Sequence, residues 1–341
     1  MSVKFGVMLP QTNKVSSPDA ILQVAEAAEE LGFDALCVHD HLVFNGFWIA
    51  SGMPGASGPG DDRDLYEALE TLTFAAARTS KVLLVASVII IPIRHPVLLA
   101  KQIATLDALS GGRFVLGAGV GPPLRATESE AIKLGPHRGN AAKEYDAVDV
   151  SGNRGPRTDE YLEAMFEIWA NEKATFHGKY VSFDEIEVFP KPVQQPRPPV
   201  WIGGRSEFAL RRAAKLADGW NPSQPSPAQL AELLPKLKDL YREAGRSGPD
   251  TVGINIHSVI ADTDEAAAAI AEPSARKLFA SDEEYEQRTI VGSPDTFARR
   301  VGEFVDAGAN YIELKPLYPD VDHLLDQMKS LAKSVMPSFR S

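Results

Sequence analysis

One cysteine in 341 residues removes internal disulfide chemistry from the account. Cys37 sits in the apolar run Ala35-Leu36-Cys37-Val38, where a thiol packs as a small hydrophobe rather than reacting. A reducing compartment fits that usage. Positive charge is also short: 35 lysines and arginines stand against 46 aspartates and glutamates, a net charge of −11. Such a chain repels a phosphate backbone, which argues against nucleic acid as a partner. No apolar run is long enough to cross a bilayer, and the first residues read as a strand, not as a charged and then apolar signal segment. The expectation is a cytoplasmic protein with no membrane partner. His39 and His41 flank Asp40, but no further ligand at metal spacing follows them, so no metal is expected. There is no Ser-His-Asp order with a nucleophile elbow, and no evident pair of carboxylates at strand ends.

What the chain does contain is organised around residues 81–121. Residues 82–91 are almost unbroken apolar and β-branched, the pattern of a strand buried on both faces. Pro92 and Pro96 end that run and open a helix, in which Leu98, Leu99, Ile103, Leu106 and Leu109 form an apolar stripe. Gly111 and Gly112 stop it, and residues 114–117 make the next strand. Strand, crossover helix and strand form a βαβ unit, so the sheet is parallel. Ligands of parallel α/β folds lie at the carboxyl ends of strands, here residues 87–91 and 117–121.

The same alternation runs through the chain. Strands are expected near residues 4, 34, 82, 113, 200, 218, 252 and 310, nearly all followed by helices. Eight such units predict a single (β/α)8 TIM barrel of class α/β over residues 1–341, with long insertions at the strand carboxyl ends at about 43–64, 122–157 and 264–290. Residues 174–189 alternate and read as a small hairpin, and 264–287 as helix with breaks. The first insertion is rich in Gly, Pro and Ser with Phe44, Phe47 and Trp48 embedded. Loops of that length serve as lids or binding loops when they occur in compact domains.

Three polar or glycine-rich stretches fall at strand ends. Gly203-Gly204-Arg205-Ser206 opens a helix, either as an anion cradle or as a tight turn that needs glycine. Gly117-Ala118-Gly119-Val120-Gly121 lacks the helix and ribose-binding acid of a dinucleotide motif; its glycines read as room for a flat ligand against the backbone. His39-Asp40-His41 can hold a proton near neutral pH, with the carboxylate fixing a tautomer, or can simply tie down a loop.

Together these stretches resemble the luciferase-like monooxygenase superfamily, in particular its F420-dependent oxidoreductases. The matching segments are KFGVMLPQ, AAEELGFDALCVHDHL, ASVIIIPIRHPVLLAKQIATLDALSGGRFVLGAGVG, RGPRTDEYLEAMFEIW, FPKPVQQPRPPVWIGGRSEFALRRAAKLADGW and VGSPDTFARRVGEFVDAGANYIEL. The resemblance implies a barrel that binds coenzyme F420, or alternatively FMN, at the strand carboxyl ends, and a homodimer. It implies that Ser87 and Val88 form a bulge with a cis peptide behind the cofactor ring. Asp40 and His41 would lie beside the ring, Val120 and Gly121 along the cofactor's side chain, and Gly203 and Gly204 at its phosphate with Arg205 and Ser206. His41 is then the expected proton donor or acceptor with Asp40 in support, and His39, Phe44, Trp48 and Arg94 are expected at the substrate pocket. The implied reaction is hydride transfer between deazaflavin C5 and an organic substrate. An FMN monooxygenase or a non-catalytic flavin-binding barrel on the same fold are the alternatives. Sugar-phosphate dehydrogenases of the superfamily carry a glutamate shortly after the glycine loop. Pro122 and Pro123 stand there in this chain, which argues against the same substrate and acid.

Overall fold

The computed structural model describes residues 2–12, 15–43, 64–122, 141–150, 152–272, 276, 279 and 281–340. The strands are β1 (Lys4–Met8), β2 (Ala35–Val38), β3 (Leu83–Ile90), β4 (Phe114–Gly119), β5 (Ala174–His177), β6 (Ser182–Ile186), β7 (Val200–Ile202), β8 (Gly219–Trp220), β9 (Thr251–Ile260), β10 (Thr289–Gly292) and β11 (Tyr311–Pro316). The helices are α1 (Pro18–Glu30), α2 (Ala68–Ala76), α3 (Pro96–Ser110), α4 (Ala141–Asp146), α5 (Arg154–Ala170), α6 (Glu207–Leu216), α7 (Pro227–Glu243), α8 (Asp264–Ala271), α9 (Asp282–Gln287), α10 (Pro294–Asp306) and α11 (Val321–Ser334).

Eight strands close a parallel ring in the order β1, β2, β3, β4, β7, β8, β9, β11 and back to β1. They are the eight expected from the sequence. β5 and β6 form the antiparallel hairpin outside the ring. β10, which the sequence pattern did not suggest, pairs parallel with residues 257–260 of β9. It takes up the edge that the two-residue β8, paired only at Thr251 and Val252, leaves open. Its buried Ile290 explains why so short a run forms a strand.

Side chains alternate along each strand, so one set points into the ring and the other toward the helices. Met8, Ala35, Cys37, Val85, Val115, Trp201 and Tyr311 make a separate apolar cluster inside the ring, and Cys37 is buried there as expected. The outward set packs with the helices into the main core. α10 illustrates why: Ser293 caps its first turn, and Phe297, Val301 and Phe304 recur on one fully buried face.

The ring becomes polar toward its carboxyl rim. On β11 the inward positions read Tyr311, Glu313, Lys315, and on β9 Gly253, Asn255, His257, paired rung by rung. Beyond the end of β2, Gln11 stitches the chain: its Oε1 accepts the His39 amide at 2.7 Å, and its Nε2 donates to the His39 and Tyr66 carbonyls.

Candidate active site at the carboxyl rim

One cleft of about 360 Å³ opens at this rim. Its lining brings together His39, Asp40 and His41 from β2, Ser87 and Val88 from β3, Val120 and Gly121 after β4, and Gly203 and Gly204 after β7. Asn221, Asn255 and Lys315 complete the floor from β8, β9 and β11. A second groove of about 600 Å³ shares Gly119, Val120, Gly203 and Gly204 with it and continues to Ser206 and Phe208 at the start of α6. Phe44, Phe47 and Trp48 lie outside the described residues.

Asp40 does not support the His41 ring. Its buried carboxylate accepts the Ile90 amide at 2.8 Å and both terminal nitrogens of Arg94 at 2.5 and 2.6 Å. Burial raises its pKa, opposed by the Arg94 charge and the Ile90 amide. Arg94, expected at the mouth, is instead packed behind the rim with its side chain 10% exposed, where it also pairs with Glu67 at 2.8 Å. A fork donor over a carboxylate without solvent explains the placement: each buried charge needs the other.

His41 pairs with Glu144 on α4. Its Oε2 lies 2.9 Å from Nδ1, and its Oε1 accepts the Leu42 amide at 2.5 Å. The glutamate side chain is fully buried. A carboxylate that accepts at Nδ1 favours the tautomer with its proton on that nitrogen.

At the bulge, the Ser87–Val88 peptide is cis and the β3–β4 register shifts between Ala86 and Ile89. Glycines make room for it. A Cβ on Gly117 would collide with the Ala86 carbonyl oxygen, and one on Gly119 with Val88 Cγ2. The space expected for a flat ligand at these two glycines is therefore taken by the protein's own bulge. Beneath it, Ser87 Oγ accepts from Asn221 and Asn255 at 3.3 and 3.2 Å. Glu313 accepts from Asn221 at 2.8 Å, and also from Asn255 and Ser87. Burial raises the Glu313 pKa, while Lys315 and these three hydrogen bonds pull it back.

At α6 the chain turns through Gly204 at φ +92°, and Trp220 Nε1 fixes the Gly204 carbonyl at 2.8 Å. Ser206 is the N-cap, its Oγ accepting the Ala209 amide at 3.3 Å. Arg205 turns away from the cradle to the Gln224 carbonyl and the Gln229 side chain, at 3.2 and 2.8 Å. The loop after β4 is clamped by Arg154, which donates to the carbonyls of Val120, Gly121 and Pro122, and by Tyr145, whose hydroxyl donates to Pro122 at 3.1 Å.

Glu144, Tyr145 and Arg154 escaped the sequence reading because residues 122–157 carry no periodicity to place them. Asn255, Glu313 and Lys315 left a usable signal: polar residues at every second position of strands otherwise apolar on both faces. Among the described residues, no group of three or more His, Cys, Asp or Glu side chains is placed to hold a metal ion.

The profile of the luciferase-like monooxygenase family matches residues 3–281. An F420-dependent glucose-6-phosphate dehydrogenase of Microbacterium testaceum is 27% identical over 349 aligned residues, covering 95% of this chain and 94% of that protein. An uncharacterized protein of Mycobacterium tuberculosis H37Rv is 32% identical over 262 residues, 75% of this chain and 84% of that one. Among solved structures, an F420-dependent secondary alcohol dehydrogenase in complex with an F420–acetone adduct superimposes with a TM-score of 0.80 at 18% identity, over 100% of both chains.

Proposed function

The chain belongs to the luciferase-like monooxygenase family and is an oxidoreductase that uses a deazaflavin or a flavin; from that premise we propose that its cofactor is coenzyme F420. The observation that carries the reading is the convergence on one rim of the Ser87–Val88 bulge, the His41–Glu144 pair and the glycine-led start of α6. A full-length likeness to an F420-dependent dehydrogenase supports the choice between the two cofactors.

F420 supplies a hydride donor or acceptor carbon when bound. The residues here fit such a group. Val88, pressed against Gly117, Gly119 and Gly203, offers a bulky apolar ledge for a ring. The backbone amides at Gly204 and the first turn of α6 offer a dipolar seat for an anionic tail in the adjoining groove. Val120 and Gly121, fixed by Arg154 and Tyr145, wall the passage between the two. His41 exchanges a proton, with Glu144 holding Nδ1. Asp40 and Arg94 act behind them, bracing the end of β2 against Ile90.

Titration of the purified protein with F420 and with FMN tests the reading. Micromolar binding of F420 with negligible FMN binding is the expected result, and the reverse ranking overturns it. His41→Ala is then expected to lower turnover by roughly 10²–10⁴ with little change in cofactor affinity.

A further inference from the structure

The inward ladder of β11 has three rungs. The lowest is settled by Tyr311 Oη against Cys37 Sγ at 3.1 Å. The middle one is settled by Glu313 with Asn221, Asn255 and Ser87. The uppermost is not. Lys315 lines the cleft, and its ammonium makes no hydrogen bond to any described residue. The charged and titratable groups around it are Glu313 and Cys37 below, His39 from β2 and His257 from β9. His257 shares its rung, and its Nδ1 is buried without a hydrogen-bond partner. An ammonium carries three donors and no acceptor, so this floor is built to receive an oxygen.

We propose that Lys315 Nζ, with His257 beside it, seats and protonates the reacting oxygen of the substrate, which is therefore a carbonyl compound and its corresponding alcohol. The assignment rests on the F420 reading for its hydride. Charge balance favours a carbonyl over a carboxylate. Glu313 already matches the Lys315 charge one rung below, so a permanent anion would leave the enclosed floor net negative. A carbonyl oxygen brings no charge until hydride adds to its carbon. The C=O π pair then moves onto oxygen, the new O–H bond takes a proton from Nζ, and the N–H bond breaks to leave a neutral amine. His41 accepts the proton that the cofactor must release, and water resets both groups. Burial lowers the Lys315 pKa, against the opposing pull of Glu313 and Cys37, so this lysine yields its proton more readily than one on the surface.

The test begins on the cofactor-free protein. It is treated briefly with propanal and cyanoborohydride near neutral pH, and the alkylated lysines are mapped by mass spectrometry. Lys315 is expected to react about tenfold faster than any surface lysine and to be protected by bound F420. Labelling confined to surface lysines overturns the proposal. Lys315→Met is expected to retain its fold and to bind F420 within about twofold of the parent. On a panel of small ketones, aldehydes and alcohols it is expected to lose roughly 10²-fold or more of the turnover, with Lys315→Arg recovering part. A loss of F420 affinity beyond about tenfold in Lys315→Met would mean that the lysine holds the cofactor, and overturns the proposal. Failure of the parent protein to bind F420 removes the cofactor reading, while the adduct map still reports whether a carbonyl reaches Nζ.

Discussion

Glu144 holds the His41 ring with one oxygen and the Leu42 amide with the other, so it sets both the tautomer and the position of the ring. Glutamine in its place can donate to Nδ1 and so favour the wrong tautomer. Glu144→Gln is expected to lower turnover by about 10–100-fold and to displace the pH profile of kcat, with unchanged F420 affinity and partial rescue by aspartate. Arg94 is a different kind of residue. Arg94→Ala leaves Asp40 buried without its counter-charge and is expected to cost about 3–5 kcal/mol in urea denaturation. At this scale the sequence told only part of the story. The run His39-Asp40-His41 was recognisable at a strand end, and all three line the cleft. Their partners were not, because Glu144 and Arg94 lie 103 and 54 residues away, and nothing in local spacing encodes such pairs.

Elements were more legible, since burial on both faces of a parallel strand leaves an apolar run that a reader can count. All eight ring strands were visible in this way. β10 was not, because its four residues follow a stretch that reads as broken helix and run directly into the Ser293 cap of α10. Two element-level predictions follow from side chains at strand ends. Gly119→Ala presses a methyl into Val88, and Val88→Ala removes the obstacle. The two changes together are expected to cost less than their sum by about 0.5–3 kcal/mol, read from a denaturant double-mutant cycle. Glu29, on α1, accepts the amides of Ser80, Lys81 and Val82 at the entry to β3. Burial alone would raise its pKa, but hydrogen bonds from Lys81, Ser80 and Val82 outweigh it and bring it from 4.5 to about 2. The contribution is present above pH 4.5 and lost as pH falls through about 2. The stability gap between the parent and Glu29→Gln is therefore expected to narrow over that window.

For the whole molecule, the interior of the ring sets an acid limit. Burial, with the nearby Lys315 charge, depresses the His257 pKa from 6.5 to about 3 and holds His39 well below its ordinary value too. Below pH 6.5 the unfolded chain takes up protons that the native one refuses, so stability rises with pH from about 3 to 6.5. The unfolding free energy from urea denaturation is expected to fall on acidification by roughly 1.4 kcal/mol per pH unit from His257 alone, and His257→Gln to reduce the slope. The outer surface bears on assembly. Phe74 on α2 and Leu98 and Leu109 on α3 are large and exposed. We propose that this face joins two copies, as the family resemblance implied. Sedimentation is expected to give a species of two 36.9 kDa chains, and Leu109→Glu to shift it toward one. The closed ring could be read from the sequence because parallel units need crossovers and a right-handed course. The long excursions between strands could be recognised as such, but not where their residues sit, because no repeating pattern ties them to a face.

Gln11 meets both the N–H and the C=O of His39 after the β1–β2 ladder has ended. A side-chain amide thus stands in for one more peptide of β1, carrying the scaffold's rigidity a step past the last strand residue. Splicing a longer or shorter segment in after residue 43 is therefore expected to leave the His39 backbone where it is, which makes that junction the natural place to graft new selectivity.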